Sequence, residues 1–170
     1  AGKLGRVNLK TGELRDIQPF PGKGEPKYRF NWNTPFQPAP DGSGTLYVGA
    51  QYLMRSTDHG ETWEKISPDL TTNDAAKLKQ AESGGLNIDD SSAENHCTIY
   101  AIGVSPKDAS VIWAGTDDGN LQLTRDGGKT WKNVIANVPG VPANTWVSSV
   151  EASRFDASVA FVTLYCTIAR

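Results

Sequence analysis

Short runs rich in β-branched and aromatic residues, each closed by Gly, Asp, Asn or Pro, recur along the chain and predict strands. They fall at 28–32, 45–51, 52–57 and 62–66, and again at 98–104, 110–116, 120–124 and 130–135. A hairpin turning at Lys10-Thr11-Gly12 spans 5–17, and two further strands lie at 146–152 and 158–165. The stretch 73–95 breaks the pattern. It is polar and poor in β-branched residues, and it reads as an insertion whose middle forms one short helix ending at Gly84.

Two of the turns between these strands say nearly the same thing. Ser56-Thr57-Asp58-His59-Gly60-Glu61-Thr62-Trp63 and Thr124-Arg125-Asp126-Gly127-Gly128-Lys129-Thr130-Trp131 share the pattern Ser/Thr-x-Asp-x-Gly-x-Thr-Trp. The Asp accepts backbone N–H bonds, the Gly is free to take positive φ, and the Thr hydroxyl reaches the carboxylate. The Trp opens the next strand and buries a large ring whose N–H needs a partner. A second repeat reinforces the first. Ser105-Pro106-Lys107-Asp108-Ala109-Ser110-Val111 is echoed by Ser153-Arg154-Phe155-Asp156-Ala157-Ser158-Val159, 48 residues later, the length of one four-stranded unit.

The turn motif resembles the Asp-box of the bacterial neuraminidase repeats. That motif occurs in sialidases, in oligoxyloglucan-type and related glycoside hydrolases, in sortilin-type sorting receptors and in a photosystem II assembly factor. The resemblance implies an all-β chain built of β-propeller blades, in which the motif staples the two outer strands of each blade. Its residues here (Ser56, Asp58, Gly60, Thr62, Trp63 and Thr124, Asp126, Gly128, Thr130, Trp131) are then structural rather than catalytic. The wording around Phe30-Asn31-Trp32-Asn33 and Met54-Arg55-Ser56 looks most like sortilin-type or hydrolase-annotated bacterial propellers, which implies a secreted or periplasmic protein.

A blade runs strand A near the axis, then B, C and D outward. The first whole blade takes 28–32 as strand A and covers 28–70; the second covers 97–138. Residues 1–20 hold strands C and D of a preceding half-blade, and 144–168 hold strands A and B of a following one. The whole of 1–170 is thus one propeller-type domain of two whole blades and two half-blades. Propellers have roughly four to eight blades, so the half-blades stay open, close on each other within the chain, or pair between chains. Uncovered edges favour the last, a homo-oligomer such as a six-bladed dimer.

Any ligand site has a predictable address. Strand A entries, B–C turns and D–A connections share one face of the disk, opposite the Asp-box turns. That face gathers Asn31, Trp32, Gln51, His96, Asp117, Asp118, Asn144 and Trp146, amides and rings of the kind that meet a glycan or a peptide. The competing reading makes Trp32 and Trp146 core residues and the Asn residues turn caps. A glycosidase needs two carboxyl groups roughly 5–10 Å apart, for which Asp89, Asp90, Glu94, Asp117 and Asp118 are candidates. Arg29 is the one arginine near a strand A entry, so the arginine cluster of a sialidase is missing. The sequence therefore favours a non-catalytic scaffold or binding module. A fragment of a sialidase- or xyloglucanase-like glycoside hydrolase, completed by other blades, is the alternative.

Composition adds little. Seventeen basic against nineteen acidic residues, net −2, give no reason to expect nucleic acid. No apolar run approaches the roughly 20 residues of a bilayer span. His59 and His96 have no metal-ligand spacing, so no metal or cofactor is expected. Cys97 and Cys166 read as free thiols, with a disulfide between them as the alternative.

Overall fold

A computed structural model describes residues 2–79 and 95–165. It is all-β, a partial β-propeller, and its sheets hold two, four, four and two strands. The first half-blade pairs β1 (Gly5–Val7) with β2 (Leu14–Asp16), antiparallel, with Arg6 opposite Arg15. The first whole blade orders β3 (Phe36–Pro38), β4 (Leu46–Gly49), β5 (Leu53–Ser56) and β6 (Glu64–Lys65). The second orders β7 (Ile99–Val104), β8 (Ile112–Thr116), β9 (Leu121–Thr124) and β10 (Lys132–Asn133). The last half-blade is β11 (Trp146–Ala152) on β12 (Ala160–Tyr165).

One strand is not where its sequence pattern places it. Strand A of the first blade is 36–38, with Phe36 opposite Val48 and Pro38 opposite Leu46, and not 28–32. Prolines at 35, 38 and 40 make that segment read as a loop. The innermost strand of a blade has one free side, however, and there a missing N–H costs no ladder bond. Residues 28–32 instead form a lead-in that makes a single bridge at Asn31 and turns at Trp32, and whose Phe30 is buried against Val48, Ala50 and Met54. The turn at Lys10-Thr11-Gly12 is closed by Gly12 N–H donating to Asn8 O at 2.8 Å. The helix expected to end at Gly84 lies outside the described residues.

Alternation along each strand sends side chains to two different interfaces. In β4, Tyr47 joins Leu53, Ile66, Ile99, Ile102 and Ile112 between the two whole blades, while Val48 packs the other way with Met54. In β8, Trp113 and in β7, Ala101 face Val147, Val150 and Ala152 of the last half-blade. Both interfaces need a residue without a side chain. A Cβ on Gly49 would stand 2.8 Å from Ile99 Cγ2, and one on Gly115 would stand 2.7 Å from Val147 Cβ. Strand A of each blade can therefore approach its neighbour's strand B closely.

The Asp-box turns lock one blade to the one before it. Trp63 Nε1 donates to Ile17 O at 2.8 Å, and Trp131 Nε1 donates to Ile66 O at 3.0 Å. Ile17 and Ile66 occupy the same place, just past strand D, where their N–H groups bond Leu4 O and Leu53 O. Val134 is the third member, its N–H on Leu121 O, and its own carbonyl accepts from Asn137 N. The box glycines Gly60 (φ 91°) and Gly128 (φ 102°) sit on those isoleucines. A Cβ on Gly60 would meet Ile17 Cδ1 at 2.7 Å.

Candidate functional site

Each Asp-box carboxylate is consumed within its own turn. Asp58 Oδ1 accepts from Ser56 Oγ (2.8 Å) and Thr62 N (2.9 Å), and Oδ2 from Thr62 Oγ1 (2.6 Å). Asp126 repeats this with Thr124 Oγ1 (2.7 Å), Thr130 N (2.9 Å) and Thr130 Oγ1 (2.6 Å). Hydrogen bonds to the ionised form, those from Thr62 and Thr130 above all, hold both groups down at about 2. Ser56 and Thr124 also accept from Gly60 N and Gly128 N, which fixes the turn. These are fastenings, on the face opposite the strand A entries.

On the other face, the B–C turn of the second blade carries Asp117 and Asp118, both buried. Asp117 Oδ1 accepts from Thr98 N (2.9 Å); its Oδ2 accepts from Thr98 Oγ1 (2.7 Å) and Asn31 Nδ2 (3.0 Å). Burial pushes its carboxyl above the usual range, against the pull of the Thr98 bonds and of His96. His96 Nε2 stands 3.3 Å from Asp117 O. Asp118 Oδ2 accepts from Thr72 N and Thr72 Oγ1, each at 2.7 Å, and its Oδ1 accepts from Thr116 Oγ1. The two carboxylates therefore tie the D–A connection, the lead-in and strand A to one turn. Neither is presented to solvent.

Gln51 is also structural: its Oε1 accepts from Arg29 N (2.7 Å) and its Nε2 donates to Lys27 O (3.0 Å). Arg29 holds Asp69 (2.8 Å), Thr71 Oγ1 (3.2 Å) and Cys97 O (3.1 Å), so it buttresses the turn rather than facing a ligand. Cys97 lies beneath Thr72, and burial, aided by the Asp118 charge, pushes its thiol up to about 12. Asp89, Asp90, Glu94 and Cys166 lie outside the described residues. Among the described residues no group of three His, Cys, Asp or Glu could hold a metal ion.

Part of what remains open on this face is aromatic. Trp146 is half-buried at the start of β11, 5.3 Å from the Tyr100 ring, 6.3 Å from His96 and 6.3 Å from Tyr165. Asn33 Nδ2 donates to Tyr100 OH at 2.6 Å, which brings the neighbouring Trp32 to the same entry region; Trp32 is 63% exposed and is no core residue. Asn144 is exposed, with φ of 61°, against the Gly119 turn. Of the eight residues expected here, Trp32, His96, Asn144 and Trp146 keep accessible surface, whereas Asn31, Gln51, Asp117 and Asp118 are buried struts. Tyr100 and Tyr165 were not foreseen. Their signal was positional: Tyr100 sits two residues into strand A, next to the Trp of the following strand A.

Stapled hairpins, four-stranded sheets and a common inner face define a stretch of Asp-box β-propeller. The family model for the BNR/Asp-box repeat matches this chain twice, at residues 54–65 and 122–133. No curated protein sequence matches it. In structure it is similar to the GH74 xyloglucanase of Xanthomonas campestris, with 18% identity, a TM-score of 0.53, and coverage of 88% of this chain and 21% of that one. An ancestral GH74 enzyme gives 14% identity and a TM-score of 0.47, over 72% of this chain and 12% of the other. The chain therefore spans between an eighth and about a fifth of the length of these relatives, and the likeness to the xyloglucanase is one of fold.

Proposed function

We propose that this chain is a non-catalytic β-propeller scaffold or binding module. It would present the Trp32–Tyr100–His96–Trp146 face to a glycan or peptide and self-associate through its half-blades. One observation carries the reading. On the face where a propeller places its chemistry, Asp117 and Asp118 are turned inward and saturated with donors, while the Trp32 ring beside them is exposed and those of His96, Tyr100 and Trp146 keep accessible surface. Buried, donor-saturated carboxylates hold turns together, whereas exposed rings beside amides suit stacking on a sugar and hydrogen bonding to its hydroxyls.

A specific observation keeps a second reading in view: the xyloglucanase likeness, which favours a fragment of a glycoside hydrolase completed by other blades. Tryptophan fluorescence titrated with a xyloglucan oligosaccharide, alongside turnover of chromogenic glycosides, separates the two. The module reading expects saturable quenching that Trp146→Ala abolishes, with no turnover. Turnover of any of these glycosides by the wild-type chain would overturn it.

A further inference from the structure

The Asp-box fixes its turn without the side chain that stands between its Gly and its Thr. In the first box that residue is Glu61, and in the second it is Lys129. Glu61 reaches back into the wedge between its own turn and the outer strands of the preceding half-blade. There Arg6 Nη2 donates to Glu61 Oε1, and Arg15 Nη1 donates to the same oxygen at 3.1 Å. Arg6 Nη1 also donates to His59 O of that turn at 2.9 Å. One carboxylate thus serves two cations.

The repeat identifies the matching residues one blade further on. Leu4 O and Leu53 O are equivalent, because each accepts from the residue just past strand D, Ile17 N and Ile66 N. Arg6 and Arg55, two positions later in strand C, are therefore equivalent, and so are the residues opposite them, Arg15 and Glu64. The second wedge has its carboxylate on the strand and its cation on the turn. Arg55 Nη2 donates to Glu64 Oε2 at 2.9 Å and leaves its own Nε buried without a partner. The Lys129 ammonium makes no ion pair among the described residues. A groove of about 480 Å³ lies here, with Arg55, Glu64 and Ser67 on one side and Gly127 and Lys129 on the other. Both walls belong to whole blades, inside the chain.

We infer that this groove binds a carboxylate brought from outside the chain, the side chain of a glutamate or aspartate in a partner's acidic segment. The ligand takes the place that Glu61 fills one blade earlier and bonds Lys129 and the Arg55 guanidinium, a charge-assisted contact of the stronger kind. The occupant of the equivalent wedge is itself a glutamate side chain, which is why a peptide is the ligand assigned. Asp126 also borders the groove, but its oxygens are taken by Thr124 and Thr130. Its counterpart Asp58 stands three residues from Glu61 and does not keep that carboxylate out of the first wedge. This site lies among the outer strands beside the Asp-box turns, apart from the Trp32–Trp146 face, and it does not depend on self-association.

Fluorescence anisotropy of a labelled oligoglutamate peptide, titrated with the wild-type chain at low salt, tests this. Saturable binding is expected. Lys129→Glu, at an exposed turn position where the first box already carries Glu, should keep the fold and weaken binding about tenfold or more. Arg55→Gln reads the same contact from the strand and should weaken it to a similar degree. Lys10→Glu makes the same charge change on the exposed tip of the β1–β2 hairpin and should leave binding unchanged. A wild-type chain that does not bind the peptide, or an equal loss in Lys10→Glu, overturns the site. A galacturonic acid oligomer that displaces the peptide at equal carboxylate concentration overturns the assignment to a peptide.

Discussion

The close approach of β8 to the last half-blade gives the sharpest test of the packing. Gly115 is not in a positive-φ conformation, so alanine there is free of backbone strain and its cost is steric. The new methyl would stand 2.7 Å from Val147 Cβ, against about 3.5–4 Å for carbons in contact. A shift of about 1 Å is needed inside a fully packed interface, and overpacking of that kind costs about 1–3 kcal/mol. Val147 is wholly buried. Trimming it to alanine removes two methyl groups, about 1.6 kcal/mol of transfer energy before any cavity term. If the two changes were independent, Gly115→Ala/Val147→Ala would lose about 3–5 kcal/mol. Trimming Val147 removes the Cγ1 that lies nearest the added methyl but keeps Cβ 2.7 Å away, so the double variant should lose less than that sum and still more than Val147→Ala alone. Urea unfolding of the four proteins measures the coupling. Additivity to within about 0.5 kcal/mol would refute the claim that this glycine exists to admit Val147.

Other outcomes follow from the same geometry. Removing the indole N–H with Trp131→Phe deprives Ile66 O of its donor and should cost about 1–2 kcal/mol, read by urea unfolding; an unchanged midpoint would refute the staple. Asp58 and Asp126 are held at about 2, below the ordinary 3.8, so their contribution is complete above about pH 4 and is lost as pH falls through about 2. Asp117 runs the opposite way: raised by burial, its contribution is present at low pH and lost as pH rises through its folded value. Asp126→Asn should therefore flatten the acid limb of a stability–pH curve, and a limb of unchanged steepness would count against this. Asp117→Asn sets one amide against the Asn31 amide and should cost about 1–3 kcal/mol near neutral pH, seen as a lower urea midpoint. Cys97, with its thiol pushed up to about 12, should resist iodoacetamide at pH 8 in the folded protein and react on unfolding, followed by peptide mass spectrometry.

The repeats made most of the architecture legible, because Ser/Thr-x-Asp-x-Gly-x-Thr-Trp needs one turn geometry and the bonds of Asp58 and Asp126 match one another atom for atom. Strand A of the first blade was not legible. Prolines at 35, 38 and 40 mimic a loop, and only the tertiary fact that this strand's inner side is free lets it pair. The destination of the Trp N–H groups was half visible: Ile17-Gln18-Pro19 and Ile66-Ser67-Pro68 share an Ile-x-Pro wording just past strand D, but sequence cannot say that those carbonyls face the next blade's Trp. Asp117 and Asp118 looked like ligand groups because residue type and face suggest chemistry. Their burial beneath Thr72, Thr98 and Asn31 comes from segments 19 to 86 residues away.

Because each Asp-box Trp reaches backward, the latch on a blade's outermost strand belongs to its successor. Trp63 secures the end of β2, and Trp131 secures the end of β6. The end of β10 has no such latch among the described residues; Val134 O is met by its own neighbour, Asn137 N. Coupling between blades is therefore directional: loosening a blade should be felt by the one before it rather than by the one after.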